Sequence, residues 1–127
     1  MAAGISSYLA NKLLDHAFRN VTYTPPASIW AKMHTGDPGA AGTANASAQT
    51  TRVQTTFAAA ASGSIPISNT PEFTLNATET ISYVSFWDAS TAGNFLYSVA
   101  ASVAKGGVSG DIIRISTNTV GFTPLAA

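Results

Sequence analysis

Cysteine is absent from this chain of 127 residues, which excludes a disulfide framework, a thiolate metal site and a cysteine nucleophile together. Charge is scarce too. Charged residues make up 9% of the chain, where about 25% is usual, and the six basic residues, Lys12, Arg19, Lys32, Arg52, Lys105 and Arg114, are scattered. Binding to nucleic acid rests on lysine and arginine neutralising phosphates, so no nucleic-acid partner is expected. No apolar run approaches the roughly 20 residues of a membrane helix, so neither a helical span nor a membrane partner is expected. The opening MAAGISSYLANK has no basic stretch ahead of an apolar core and does not read as a secretory signal. A net charge of zero leaves a free monomer little protection against association and suits a subunit that packs against copies or partners.

Constellations that carry chemistry are equally sparse. His16 falls on a helical segment and His34 at a strand end, without the i, i+4 spacing of a helical metal site. Glu72 and Glu79 flank a short apolar run and read as solvated strand ends rather than as a paired acid and base. The GGVSGD around Ser109 has Asp111 where a nucleophile elbow needs glycine, and reads as a turn. Phosphate-binding glycine loops are missing. No catalytic residue, metal site or cofactor is expected. The sequons at Asn20, Asn45 and Asn76 are what chance supplies in a Ser/Thr-rich chain.

What is present is pattern. Ile5, Leu9, Leu13 and Ala17 recur every four residues, with Tyr8, Leu14 and Phe18 widening the stripe, and predict an amphipathic helix over residues 5–19. Ser6 or Ser7 can cap its start, Asp15 and Arg19 form an i, i+4 pair, and Asn20 can end it. Pro25 and Pro26 break the helix, and Ile29, Ala31 and Met33 then alternate with Trp30, Lys32 and His34 as a strand does. Residues 35–51 form a long polar loop opening with Asp37-Pro38-Gly39. It has almost nothing apolar to bury, and a loop of this length is expected to be either disordered or held by a partner.

The rest alternates at period two. Val53, Thr55 and Phe57, then Ile65 and Ile67, then Phe73 and Leu75 predict short strands. The run from Ile81 to Trp87 is apolar on both faces and predicts a central strand, forming a hairpin with Phe95 to Val103. Ile112 to Thr117 predicts another strand and Val120 to Thr123 a short edge piece. The expectation is one domain, residues 1–127, mainly β: a β-sandwich or jelly-roll-like barrel of about six to eight short strands over 27–123, with one N-terminal α-helix.

Among the aromatics, Tyr23, Trp30, Tyr83 and Trp87 could stack on sugar rings. Tyr83 and Trp87 share a face of the most apolar strand, where core packing is the default, which leaves Trp30 as the exposed candidate.

Four segments in order, SYLANKLLDHAFRN, YTPPASIWAKMHTGDPG, RVQTTF and ISYVSFWDASTAGNFLYSV, resemble a family of small phage virion proteins, often labelled tail-fibre or minor structural proteins. The matching positions are Asn11 to His16, Tyr23 to Pro26, Thr35 to Gly39 and Asp88 to Phe95. Phe95 stands where an aliphatic residue is expected, and residues 40–62 are unusually rich in Ala and Thr. The resemblance implies a virion location after synthesis in the host cytoplasm, and no catalytic residues. Within it, length, low charge and the polar loop favour a capsid decoration protein, bound to the major capsid protein and to copies of itself, with a trimer as the expected closed assembly. A minor tail or fibre-associated subunit bound to tail proteins is the alternative, and a host-glycan-binding module a third reading. The partner interface is expected at Tyr8, Lys12, Phe18, Trp30, His34, Asp37 and Pro38.

Overall fold

The computed structural model describes residues 4–121. The described residues begin as an edge rather than a helix. Gly4 to Ser6 run antiparallel to a later strand, with Ile5 bridged to Tyr97, and helix α1 spans Ser7–Phe18. Ser6 is the cap: its extended backbone leaves the strand-like segment while its hydroxyl accepts the Leu9 N–H at 3.1 Å, which satisfies one of the helix's orphan donors. Ile5 therefore belongs to the segment before the helix. Asn20 adopts a positive φ of 57° and the Val21 N–H turns back to the Asp15 carbonyl, a left-handed stop that asparagine tolerates.

Eight strands follow: β1 (Ile29–His34), β2 (Val53–Thr55), β3 (Ser64–Pro66), β4 (Glu72–Thr74), β5 (Glu79–Trp87), β6 (Phe95–Gly107), β7 (Ile112–Arg114) and β8 (Thr119–Gly121). Phe122 and Thr123, the end of the expected last piece, lie outside the described residues. The pairings are antiparallel. β2-β1-β5-β6 form one four-stranded sheet, and β3 with β8 and β4 with β7 form two ribbons. The fold is mainly β with one N-terminal helix, as the period-two pattern predicts.

The sheet buries both faces. On the inner one, Ala31, Met33, Val84 and Phe86 meet Phe73 and Leu75 from the β4 region, with Ile81 completing the cluster and Ile113 and Ile115 against it. Phe57 sets its ring edge-on to Phe86 at 6.2 Å. This apolar layer is the main core.

The other face is covered by residues 35–51, which the polar composition left in need of a partner. Their own chain holds them instead. Asp37 Oδ1 accepts the Gly39 N–H at 2.8 Å, and Asn45 donates its side-chain amide to the Asp37 carbonyl. The Ser47 hydroxyl donates to the Glu79 carboxylate, which also accepts the Ala48 N–H at 3.0 Å. Short polar side chains of this kind satisfy backbone groups locally, so the loop needs little apolar burial. Gly42 closes it onto Phe95: its φ is +74°, and a Cβ there would come within 2.4 Å of the ring. Only glycine accepts both conditions.

Candidate functional site

Across the loop-covered face runs a chain of buried polar groups. His34 lies fully buried at the end of β1, opposite Tyr83 of β5. Its Nδ1 is 2.8 Å from the Ala44 carbonyl, which can only accept, so Nδ1 carries the proton. Nε2, 2.7 Å from Ser85 Oγ, then accepts from that hydroxyl, and Ser85 Oγ accepts the Trp87 indole N–H at 2.8 Å. Burial foremost, and the neighbouring Lys32 charge, push the His34 imidazole below its usual range against the opposing effect of the Ala44 bond. These groups join the sheet to its covering loop.

Trp87 is sandwiched in turn. Its ring lies 5.5 Å from Phe95, and the Arg52 guanidinium sits 4.1 Å from the ring centroid. The same guanidinium donates to the Ala89 and Ala92 carbonyls at 2.8 and 2.7 Å, fastening the turn between β5 and β6. Trp30 stands opposite Trp87, half-buried, with its indole N–H on Ser28 Oγ at 3.0 Å. Of the four aromatics that suggested sugar stacking, Trp87 is buried and Tyr23, Trp30 and Tyr83 are half-buried.

Helix α1 is different. None of its residues is buried. It rests half-buried Leu9, Ala10 and Leu13 on the protein and leaves Leu14 56% and Phe18 82% exposed, with Val21 exposed just beyond. Leu14 and Phe18, four residues apart, share the outward face. Tyr8 is half-buried with the Lys12 ammonium 5.8 Å from its ring centroid. Burial foremost, then the neighbouring Tyr8 and Asp88, push the Tyr23 hydroxyl above its usual range.

Of the seven residues expected at an interface, Tyr8, Lys12, Phe18 and Trp30 therefore lie wholly or partly at the surface. His34 and Pro38 do not: both are fully buried side chains, withdrawn by the loop that folds over them. Asp37 is half-buried, and its carboxylate shapes the turn. Leu14 and Val21, exposed alongside Phe18, stand outside those seven; the width of the helical stripe was the signal for Leu14, since a helix resting on one surface cannot bury a stripe that wide. Glu72 and Glu79 serve structure, Glu72 pairing with Arg114 across the β4–β7 ribbon and Glu79 holding the loop. Asp111 accepts the Val108 N–H at 2.9 Å, which makes the segment around Ser109 a turn. No group of three or more potential metal ligands occurs among the described residues, and none of their helices is long and apolar enough to cross a membrane.

A β scaffold whose polar side chains are used in holding its own loops, and whose helix turns apolar side chains outward, defines a protein of assembly. The chain belongs to the family described as "Podophage GP4 fiber I protein gp80", which matches residues 4–123. It is a non-enzymatic structural protein of the phage virion. No curated protein matches it. The fibre description favours a tail or fibre-associated role over the capsid decoration that length and charge suggested.

Proposed function

We propose that this chain is a fibre-associated subunit of the phage tail, docked on neighbouring tail proteins through the outward face of α1. The family match over residues 4–123 carries the assignment to a fibre. The docking face rests on Leu14, Phe18 and Val21, which leave an apolar row in solvent of the kind that marks protein interfaces. Tyr8 and Lys12 lie beside it on the helix. His34, Pro38 and the body of the 35–51 loop support the sheet behind.

Two experiments test the proposal. Labelling of intact particles with an antibody to this chain is expected on the tail, at few copies per particle. Labelling over the head, at copy numbers comparable to the major capsid protein, restores capsid decoration instead. For the docking face, the double variant Leu14→Asp, Phe18→Asp is expected to fold with the native circular dichroism spectrum and to drop out of particles at least tenfold. Normal incorporation of the folded variant removes α1 from the interface.

A further inference from the structure

We propose that Lys32 and Arg52 together receive a carboxylate, supplied by an acidic side chain of a different protein packed against this chain in the virion. In the β1–β2 register Ala31 faces Val53, so the next step sets Lys32 opposite Arg52. Both belong to the face of the sheet that carries Trp87: Lys32 pairs with Ser85, two residues before it, and the Arg52 guanidinium lies over the Trp87 ring. Each is half-buried. Like charges opposite each other on paired strands repel, and partial burial removes water that would screen them. Burial first, and the Arg52 charge second, hold the Lys32 ammonium below its ordinary range.

The chain cannot supply the missing counter-charge from its own side chains. It has six carboxylates, and each is engaged elsewhere. Asp15 pairs with Arg19 and Glu72 with Arg114. Glu79 holds Ser47 and Ala48. Asp37 accepts the Gly39 N–H, Asp111 the Val108 N–H, and Asp88 both the backbone and the side-chain amide of Asn94. Asp88 is near enough to favour the Arg52 charge, yet among the described residues no carboxylate forms an ion pair with Arg52 or Lys32. Residues 1–3 and 122–127 contain neither Asp nor Glu. A second copy brings the same six groups, engaged in the same way, so the carboxylate belongs to another protein.

Donors for it are in place. The guanidinium meets the Ala89 and Ala92 carbonyls through Nη1 alone, and its other N–H groups, like the three on the Lys32 ammonium, have no acceptor among the described residues. Two cationic donors side by side suit the two oxygens of one carboxylate. A single ion pair at a surface holds no free ligand. Within a larger protein contact it selects the partner and fixes the register. The inference rests on the chain being a packed subunit of the virion and not on which face of α1 docks.

Carbodiimide treatment of intact native particles tests it, since this reagent joins an amine to a carboxylate only where the two touch, forming an amide with loss of water and leaving no spacer. Mass spectrometry of the digested particles is expected to find Lys32 linked to an Asp or Glu of another virion protein, and the purified chain alone is expected to show no link at Lys32. Lys32→Met keeps the stem and removes the charge, so the free variant is expected to melt at the native temperature or above, while its incorporation into particles falls about fivefold, the upper range for a surface ion pair. Lys32→Glu should fall further, because it would set a carboxylate against a carboxylate. Absence of a Lys32 link in particles, a link to this chain's own carboxylates or to a second copy, or normal incorporation of Lys32→Met overturns the proposal. An adduct of a sugar acid at Lys32 also overturns it, by assigning the site to a glycan.

Discussion

A neutral imidazole is the form of His34 that best satisfies its neighbours. Its Nδ1–H is committed to the Ala44 carbonyl and its Nε2 to the Ser85 hydroxyl, which itself accepts from Trp87. Protonating Nε2 would reverse the Ser85 hydroxyl and place a charge in a buried site close to Lys32. The folded-state pKa is accordingly depressed, so below about pH 6.5 the unfolded chain takes up a proton that the folded chain refuses. Stability is expected to be full above that value and to fall as the pH drops toward the depressed pKa. His34→Gln should flatten this pH dependence while costing about 1–3 kcal/mol at neutral pH through broken buried hydrogen bonds. Urea unfolding at pH 5 and pH 7.5 checks both effects; an unchanged slope in the variant would assign the titration elsewhere. The sequence placed His34 beside a polar loop and so read it as accessible. Its actual partner, Ser85, is 51 positions away, a separation that periodicity does not bridge.

Among the elements, α1 and the turn between β5 and β6 show opposite kinds of stability. The turn is tightly held. Asp88 Oδ1 accepts the Asn94 N–H at 2.7 Å, Gly93 supplies a positive φ of 74° with Asp88 packed against it, and Arg52 reaches across from beside β2. Arg52→Ala removes a stacking cation and two hydrogen bonds to carbonyls, and is expected to cost about 1–3 kcal/mol. Chemical denaturation should show that loss. Lys in place of Arg should recover only part of it, because a point charge cannot bridge two carbonyls and stack at once. Helix α1, by contrast, is joined to the sheet mainly through the segment before it. Its cap and its stop were legible because Ser6 and Asn20 act locally, whereas the four-residue spacing drew its start two residues early, at Ile5. Which side faces solvent was not legible, since the stripe from Ile5 to Phe18 is wider than the surface it rests on.

At the scale of the whole molecule, the sheet and the β4–β7 ribbon share one apolar layer, so they are expected to unfold together. Phe73 is 2% exposed at the centre of that layer, and Phe73→Ala should cost about 3–5 kcal/mol, a large part of the roughly 5–15 kcal/mol that holds a domain together. Tryptophan fluorescence, which reports on Trp30 and Trp87 across the sheet, and far-ultraviolet circular dichroism should shift to the same lower midpoint. Two separate transitions would show that the ribbon and the sheet are independent units.

By itself the sequence determined the element types, the hairpin from Ile81 to Val103, the central place of β5 and the virion character of the chain. Each follows from local periodicity, from turn chemistry at Asp37-Pro38-Gly39, or from motifs contiguous in the chain. Tertiary structure alone decided that the 35–51 loop bonds to Glu79 and His34, and that Pro38 and His34 are buried. It alone showed that β6 is the outermost strand of its sheet. Those outcomes depend on contacts between segments tens of residues apart. The closure of a sheet in space sets them, and no repeat along the chain encodes it.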